Sequence, residues 1–212
     1  IPPRSRLRSQ GTGAVASEAH PNDEIVYALS PDGLVLESQG QCAATLLPKA
    51  DSVVAVLADI DVGWHRITLP KASAARMRAA LTGVLEEAIL DDMDTTHFAV
   101  APETSTGHQT WIAAVNRTWL RAELAVLEKS NVFVDRIVPS AWPDDPPTGH
   151  FAEIESEERG TTQAIGLTWS HPDGVACLRL QGGLARAMIR PPLPAGTRWS
   201  ATPSAAAAAE PD

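Results

Sequence analysis

Asp91, Asp92, Asp94 and His97 form the densest group of side chains in this sequence able to hold a cation or move a proton. A hard-cation loop needs oxygen ligands spaced around a glycine and closed by a bidentate glutamate. This stretch has neither the glycine nor the spacing, so it reads as the solvated end of a helix. Nucleotide hydrolysis and two-metal nuclease chemistry need a carboxylate on a strand that opens the sheet, where a metal manages phosphate charge. The runs Ile25-Val26-Tyr27-Ala28-Leu29 and Ala164-Ile165-Gly166-Leu167-Thr168-Trp169 contain no acid. Asp32 and Asp173 sit at turn tips, where turn formation accounts for them. Gly11-Thr12-Gly13-Ala14 lacks the lysine and the preceding strand of a phosphate loop, and no Gly-x-Ser-x-Gly elbow occurs. The six histidines are dispersed. Cys42 and Cys177 lie far apart with no ligand-spaced histidine, as expected of reduced structural thiols rather than a zinc site. The sequence therefore assigns no catalytic residue, no metal ligand and no cofactor.

Charge offers more than catalysis does. The 212 residues carry a formal net charge of −9, and Arg4, Arg6 and Arg8 gather at the head, leaving the body more acidic still. Such a body repels phosphate backbones, so nucleic acid is not an expected partner. A helix expected over Ser73–Leu90 places Arg76 and Arg78 near its start and Glu86, Glu87, Asp91 and Asp92 at its end. That order is the reverse of what the helix dipole favours, and a basic partner docking on those acids would offset the cost. A second acidic stretch, Glu153, Glu155, Glu157 and Glu158, alternates with Phe151 or Ile154 and reads either as an exposed strand open to a partner's edge or as a charged edge that prevents aggregation. These eight carboxylates are the candidate partner-binding residues.

The elements that position them follow from periodicity. Ile25–Leu29 and Leu34–Glu37 flank Ser30-Pro31-Asp32-Gly33, a hairpin signature. Val53–Leu57 is wholly apolar, as in a strand covered on both faces, and Trp64–Leu69 is a strand stopped by Pro70. Met77, Leu81, Val84, Leu85 and Ala88 recur at helical spacing behind Ser73 as cap. His97–Val100 and Thr110–Val115 read as strands paired around a Gly107 turn. Asn116 caps a helix bearing Leu120, Leu124 and Leu127, and Val132–Val138 is a strand ending at Pro139. The stretch Trp142–Gly149, rich in proline, breaks the chain. Beyond it, Ala164–Trp169 and Val175–Leu180 repeat the first hairpin around His171-Pro172-Asp173-Gly174, and Leu184–Ile189 is a last strand. The expected organisation is a flexible leader over 1–23, a first half over 24–143, an abbreviated second half over 144–190 and a low-complexity linker over 191–212. The start at Ile1 and the alanine-rich end read as those of a piece of something longer. No apolar run approaches the roughly 20 residues of a membrane-spanning helix.

Strands mixed with two helices specify an α/β domain, and a hairpin repeated at the head of two halves is the mark of a tandem ribonuclease-H-like architecture. Specific residues sharpen this. The run Val56-Leu57-Ala58-Asp59-Ile60-Asp61-Val62, then Arg66-Ile67-Thr68-Leu69-Pro70, then Arg76–Leu81 and Leu85–Asp92, resembles protein L of the type II secretion system. His97–Val100, Asn116-Arg117-Thr118-Trp119-Leu120 and Ile137-Val138-Pro139-Ser140 continue that family's order of segments. The resemblance implies an actin-like fold of mixed sheets with helices. It also implies a non-catalytic scaffold on the cytoplasmic side of the bacterial inner membrane that recruits the N-terminal domain of the secretion ATPase, protein E. Platform proteins M and F and a second copy in a homodimer are the further partners expected. The competing reading is an ATP-binding relative similar to the actin-like pilus assembly protein M, for which ATP binding without hydrolysis would act as a switch.

Overall fold

The structure, a computed structural model, describes residues 1–4, 23–102, 104–154, 164–180, 187, 189 and 192–207. The chain divides into two compact units, Ile1–Ser140 and Ala141–Asp212.

In the first unit β1 (Glu24–Leu29) pairs antiparallel with β2 (Ser38–Ala43). The second strand of this hairpin lies later than Leu34–Glu37, the position its composition predicts. The Asp32 carboxylate accepts the amides of Leu34 and Val35 at 2.8 and 2.9 Å, which folds those residues into the loop. The Glu37 amide then closes onto the Leu29 carbonyl at 2.8 Å. Leu34 is left 90% exposed.

β3 (Val54–Leu57) runs parallel to β7 (Arg136–Pro139). Ala55 and Leu57 are buried, but Val54 and Val56 are exposed, so only one face of the expected doubly covered strand is covered. β4 (Gly63–Thr68), β6 (Gln109–Asn116) and β5 (Thr96–Val100) form an antiparallel sheet in the order β4-β6-β5. The β5–β6 link turns through Gly107, whose φ of 85° suits glycine.

α1 (Ala74–Leu85) packs Leu81 and Leu85 on Leu69 and Ile112, with Ile67, Met77, Phe98 and Val100 around them. The helix is shorter than expected, and Ser73 holds the cap position without a side-chain cap bond. α2 (Arg117–Lys129) begins as predicted: the Asn116 side chain accepts the Trp119 amide at 2.9 Å. It ends in a Schellman turn. Asn131 takes a φ of 59°, the Val132 amide reaches Leu127 O at 2.9 Å, and the Asn131 amide reaches Glu128 O at 3.0 Å. Leu120 joins Leu57, Val62 and Val115 in one core cluster, while Val126 and Leu127 join Ala44 in another.

The second unit is a four-stranded sheet in the order β10-β9-β8-β11. β8 (Thr148–Ile154) pairs antiparallel with β9 (Ala164–His171), and β9 with β10 (Gly174–Arg179). β11 (Arg198–Ala201) pairs parallel with β8, and α3 (Pro203–Ala207) buries Ala205. Both elements fall in the stretch expected as linker. The signal missed was Trp199, which lies directly over Gly149: a methyl placed on that glycine would sit 2.2 Å from the indole ring. Trp169, opposite Gly149 on β9, stacks on Trp199 at 5.2 Å, and Phe151 stacks on it at 5.4 Å. The glycine leaves room for two tryptophans from flanking strands to meet. The expected strand Leu184–Ile189 lies almost wholly outside the described residues.

Candidate functional site

α1 sets the acidic site. Its last buried residue is Leu85, whose carbonyl receives the amides of both Ala88 and Ile89 at 2.9 and 3.1 Å. The Ile89 bond keeps α-helical spacing and the Ala88 bond tightens it to a 3-10 turn, so Glu86 and Glu87 ride a last turn at the helix's negative pole while Asp91 and Asp92 lie beyond it. All four are exposed. Val84 and Leu90, 51% and 104% exposed, stand among them.

The loop that follows is held from within. The Asp92 carboxylate accepts the Asp94 amide at 2.8 Å, and the hydroxyls of Thr95 and Thr96 both donate to the Asp92 carbonyl at 2.9 Å. Asp92 is thus a capping residue as well as a surface charge. From α1, the Arg78 guanidinium donates to Thr96 O at 3.1 Å and to Met93 O at 3.2 Å. From α2, Arg117 donates to the Asp94 carbonyl. The arginine that seemed misplaced for the helix dipole is the strut that ties this loop to α1. Sequence spacing gave no sign of that role, because the carbonyls Arg78 serves lie in the next element.

Beside the acidic turn opens a cleft of about 320 Å3, bounded by Ile60, Asp61, His65, Leu90, Asp91 and Asn116 among others. Asp61 is buried there and accepts the Arg4 amide at 2.8 Å. Burial holds the pKa of His65 below the ordinary histidine value, since a charged imidazole loses hydration there. The cleft thus combines two carboxylates, an imidazole that resists protonation and apolar walls.

Glu153 lies on β8, exposed, opposite Ile165 of β9. β9 pairs along the whole of β8, whereas β11 pairs with Thr148–Phe151, so beside Glu153 no strand of the described residues lies on the β11 side. Glu155, Glu157 and Glu158 lie outside the described residues. Among the described residues, Glu86, Glu87, Asp91 and Asp92 lie together in the segment that follows Leu85 in the first unit.

Residues 29–143 match the family model for protein L of the type II secretion system. Among curated proteins, the type II secretion system protein L of Dickeya chrysanthemi is 32% identical over 114 residues, covering 48% of this chain and 28% of that protein. The chain thus matches less than a third of the length of that relative. Among solved structures, the cytoplasmic domain of EpsL, an inner-membrane component of the type II secretion system of Vibrio cholerae, superposes with a TM-score of 0.60 at 17% identity. That superposition covers 87% of this chain and 79% of the other, and it shows the fold, the actin-like α/β arrangement that the segment order implies. The family match takes in both the acidic turn and the cleft, and the chain belongs to the type II secretion system protein L family.

Proposed function

We propose that this chain is a non-catalytic scaffold of the secretion platform that docks the N-terminal domain of the secretion ATPase, protein E. The observation that carries the reading is the acidic turn after α1. Four exposed carboxylates surround a fully exposed Leu90 beside a cleft, an arrangement that fits a basic segment presenting an apolar anchor. Interfaces of this kind draw specificity and association rate from charge and affinity from a few apolar anchors. Membership of the protein L family supports the reading. So does the strand chemistry: β9 carries no acid, and the acid of β1 is Glu24, exposed at the strand's first position. The scaffold would act at the cytoplasmic face of the inner membrane beside platform proteins M and F. Among the described residues no helix is long and apolar enough to cross a membrane, so attachment would come from elsewhere in the platform or in the protein.

Calorimetry tests this. The ATPase N-terminal domain should give a saturable complex in the micromolar range or tighter, and ATP with magnesium should give a flat trace. Saturable heat from nucleotide together with no heat from the ATPase domain would reverse the assignment in favour of an ATP-binding assembly protein.

A further inference from the structure

A second surface of the first unit has the opposite charge. In the sheet order β4-β6-β5, β5 has one neighbouring strand, so among the described residues one of its edges is unpaired. The Ala101 amide donates to Trp111 O at 3.1 Å. With the register Ala99↔Ala113 and His97↔Val115, the alternation of an antiparallel ladder then turns the peptide groups of His97 and Ala99 toward β6. Those of Thr96, Phe98 and Val100 face the open edge. The Thr96 carbonyl is held by Arg78, an independent sign that this parity is correct. Phe98 and Val100 present their N–H and C=O groups along the rest of the edge.

Around the start of that edge the chain gathers positive charge. Arg78 reaches it from α1, Arg117 from α2, and Arg121, one turn further along α2, is exposed beside exposed His97. Desolvation, then the fields of Arg78, Arg117 and Arg121, hold the His97 pKa below the ordinary histidine value, so three guanidiniums act on this one ring. Asp92 and Asp94 lie in the loop these arginines hold, and the Asp92 carboxylate is tied to the Asp94 amide. In a chain of net charge −9, this is a local reversal of sign on a strand edge.

We propose that the open edge of β5 is a strand-addition site for an acidic, extended segment of a partner protein. Backbone hydrogen bonds at Phe98 and Val100 would supply the docking, and the arginines the choice of charge. Among the described residues of a second copy, the acids Glu86, Glu87, Asp91 and Asp92 lie at a helix end and in the turn after it rather than in a strand, so a partner protein is the occupant proposed and a second copy is an outcome of the test. The site adjoins the acidic turn proposed for the ATPase, with the Asp92–Thr96 loop between them, but the peptide is read at Phe98 and Val100 and the ATPase domain by its own affinity, so the failure of one reading is distinguishable from the failure of the other.

The test follows the amides of Phe98 and Val100 by NMR in the 15N-labelled chain, titrated with the peptide acetyl-(Glu-Val)3-amide and with its lysine counterpart. The acidic peptide should shift both signals saturably and slow their exchange by about tenfold, while Ala99 N–H, already turned to β6, changes little. The lysine peptide should do neither at equal concentration. Arg121→Glu and His97→Glu, both at exposed positions, should each weaken the acidic peptide by about tenfold without altering the rest of the spectrum. No response to the acidic peptide, equal response to both peptides, or charge reversals without effect would each overturn the proposal. Concentration-dependent shifts of the same amides with no peptide present would overturn it in favour of self-association.

Discussion

The two Pro-Asp-Gly hairpins begin from nearly the same sequence and end in different structures. At His171-Pro172-Asp173-Gly174 the strands meet tightly, His171 opposite Gly174, and pairing continues to Arg179 opposite Gly166. At Ser30-Pro31-Asp32-Gly33 the chain makes a long loop, and pairing begins only at Leu29 opposite Ser38. The turn residues do not make this difference. β9 is flanked by β8 and β10 and buries Ala164, Leu167 and Trp169, so one register is enforced from both sides. Among the described residues β1 pairs only with β2, its outward Val26 is 73% exposed, and local hydrogen bonding at Asp32 is free to win. A turn motif sets where a chain can reverse; the neighbours of the strands set where pairing starts.

Removing the enforcing contact should break that contrast. Trp169→Ala takes out the buried indole that anchors β9 and stacks on Trp199, and should cost about 3–5 kcal/mol in denaturant unfolding of the second unit. Tyr27→Ala, which uncovers Gly40 in the two-stranded hairpin, should cost about 1 kcal/mol. Equal losses would show that the hairpins are equally anchored. Next in size, Gly149→Val forces Trp199 off its glycine and should cost about 1–3 kcal/mol, with loss of the near-ultraviolet signal of the stacked tryptophans.

A smaller effect isolates the loop. Gly33 has a φ of 75° with open space around it, so Gly33→Ala should cost about 1 kcal/mol through backbone strain alone. Asp32→Ala should speed amide exchange at Leu34 and Val35 and leave β9–β10 untouched. Burial and charge act in the first unit in a further way. His65 has its pKa lowered from 6.5 by burial, so the unfolded chain takes up the proton first as pH falls. Stability should therefore decline from about pH 6.5 downward until the lowered folded value is passed. His97 acts with the same sign. Urea midpoints across this range for the wild type and His65→Gln should run parallel if another group carries the dependence, and the wild type alone should lose stability as pH falls if His65 does.

The fold was legible where local chemistry and tertiary context agree. Asn116 before Leu120, Leu124 and Leu127 announces α2, Gly107 announces the β5–β6 turn, and the segment order announces the family. It was illegible where a partner distant in sequence decides. Nothing near Trp199 says that Gly149, far back in the chain, waits under its ring, so the composition around this strand reads as linker. Arg78 looks like a misplaced charge until the Met93 and Thr96 carbonyls come to it. For the acidic site, the sequence singles out the α1 carboxylates because their order defies the helix dipole, and the structure leaves all four exposed. Alternation places Glu153 on a strand, as β8 is, but cannot say that β11 pairs with that strand's first four residues.

The central claim is that this molecule works by holding a basic partner on the turn after α1. The direct measurement is the affinity of the ATPase N-terminal domain for the wild-type chain and for the double reversal Glu86→Lys with Glu87→Lys, with the reversal Glu155→Lys with Glu157→Lys alongside. The account predicts a saturable complex that the first pair weakens by about tenfold or more and the second leaves nearly unchanged. No complex at tens of micromolar, or the same affinity for all three chains, would contradict it.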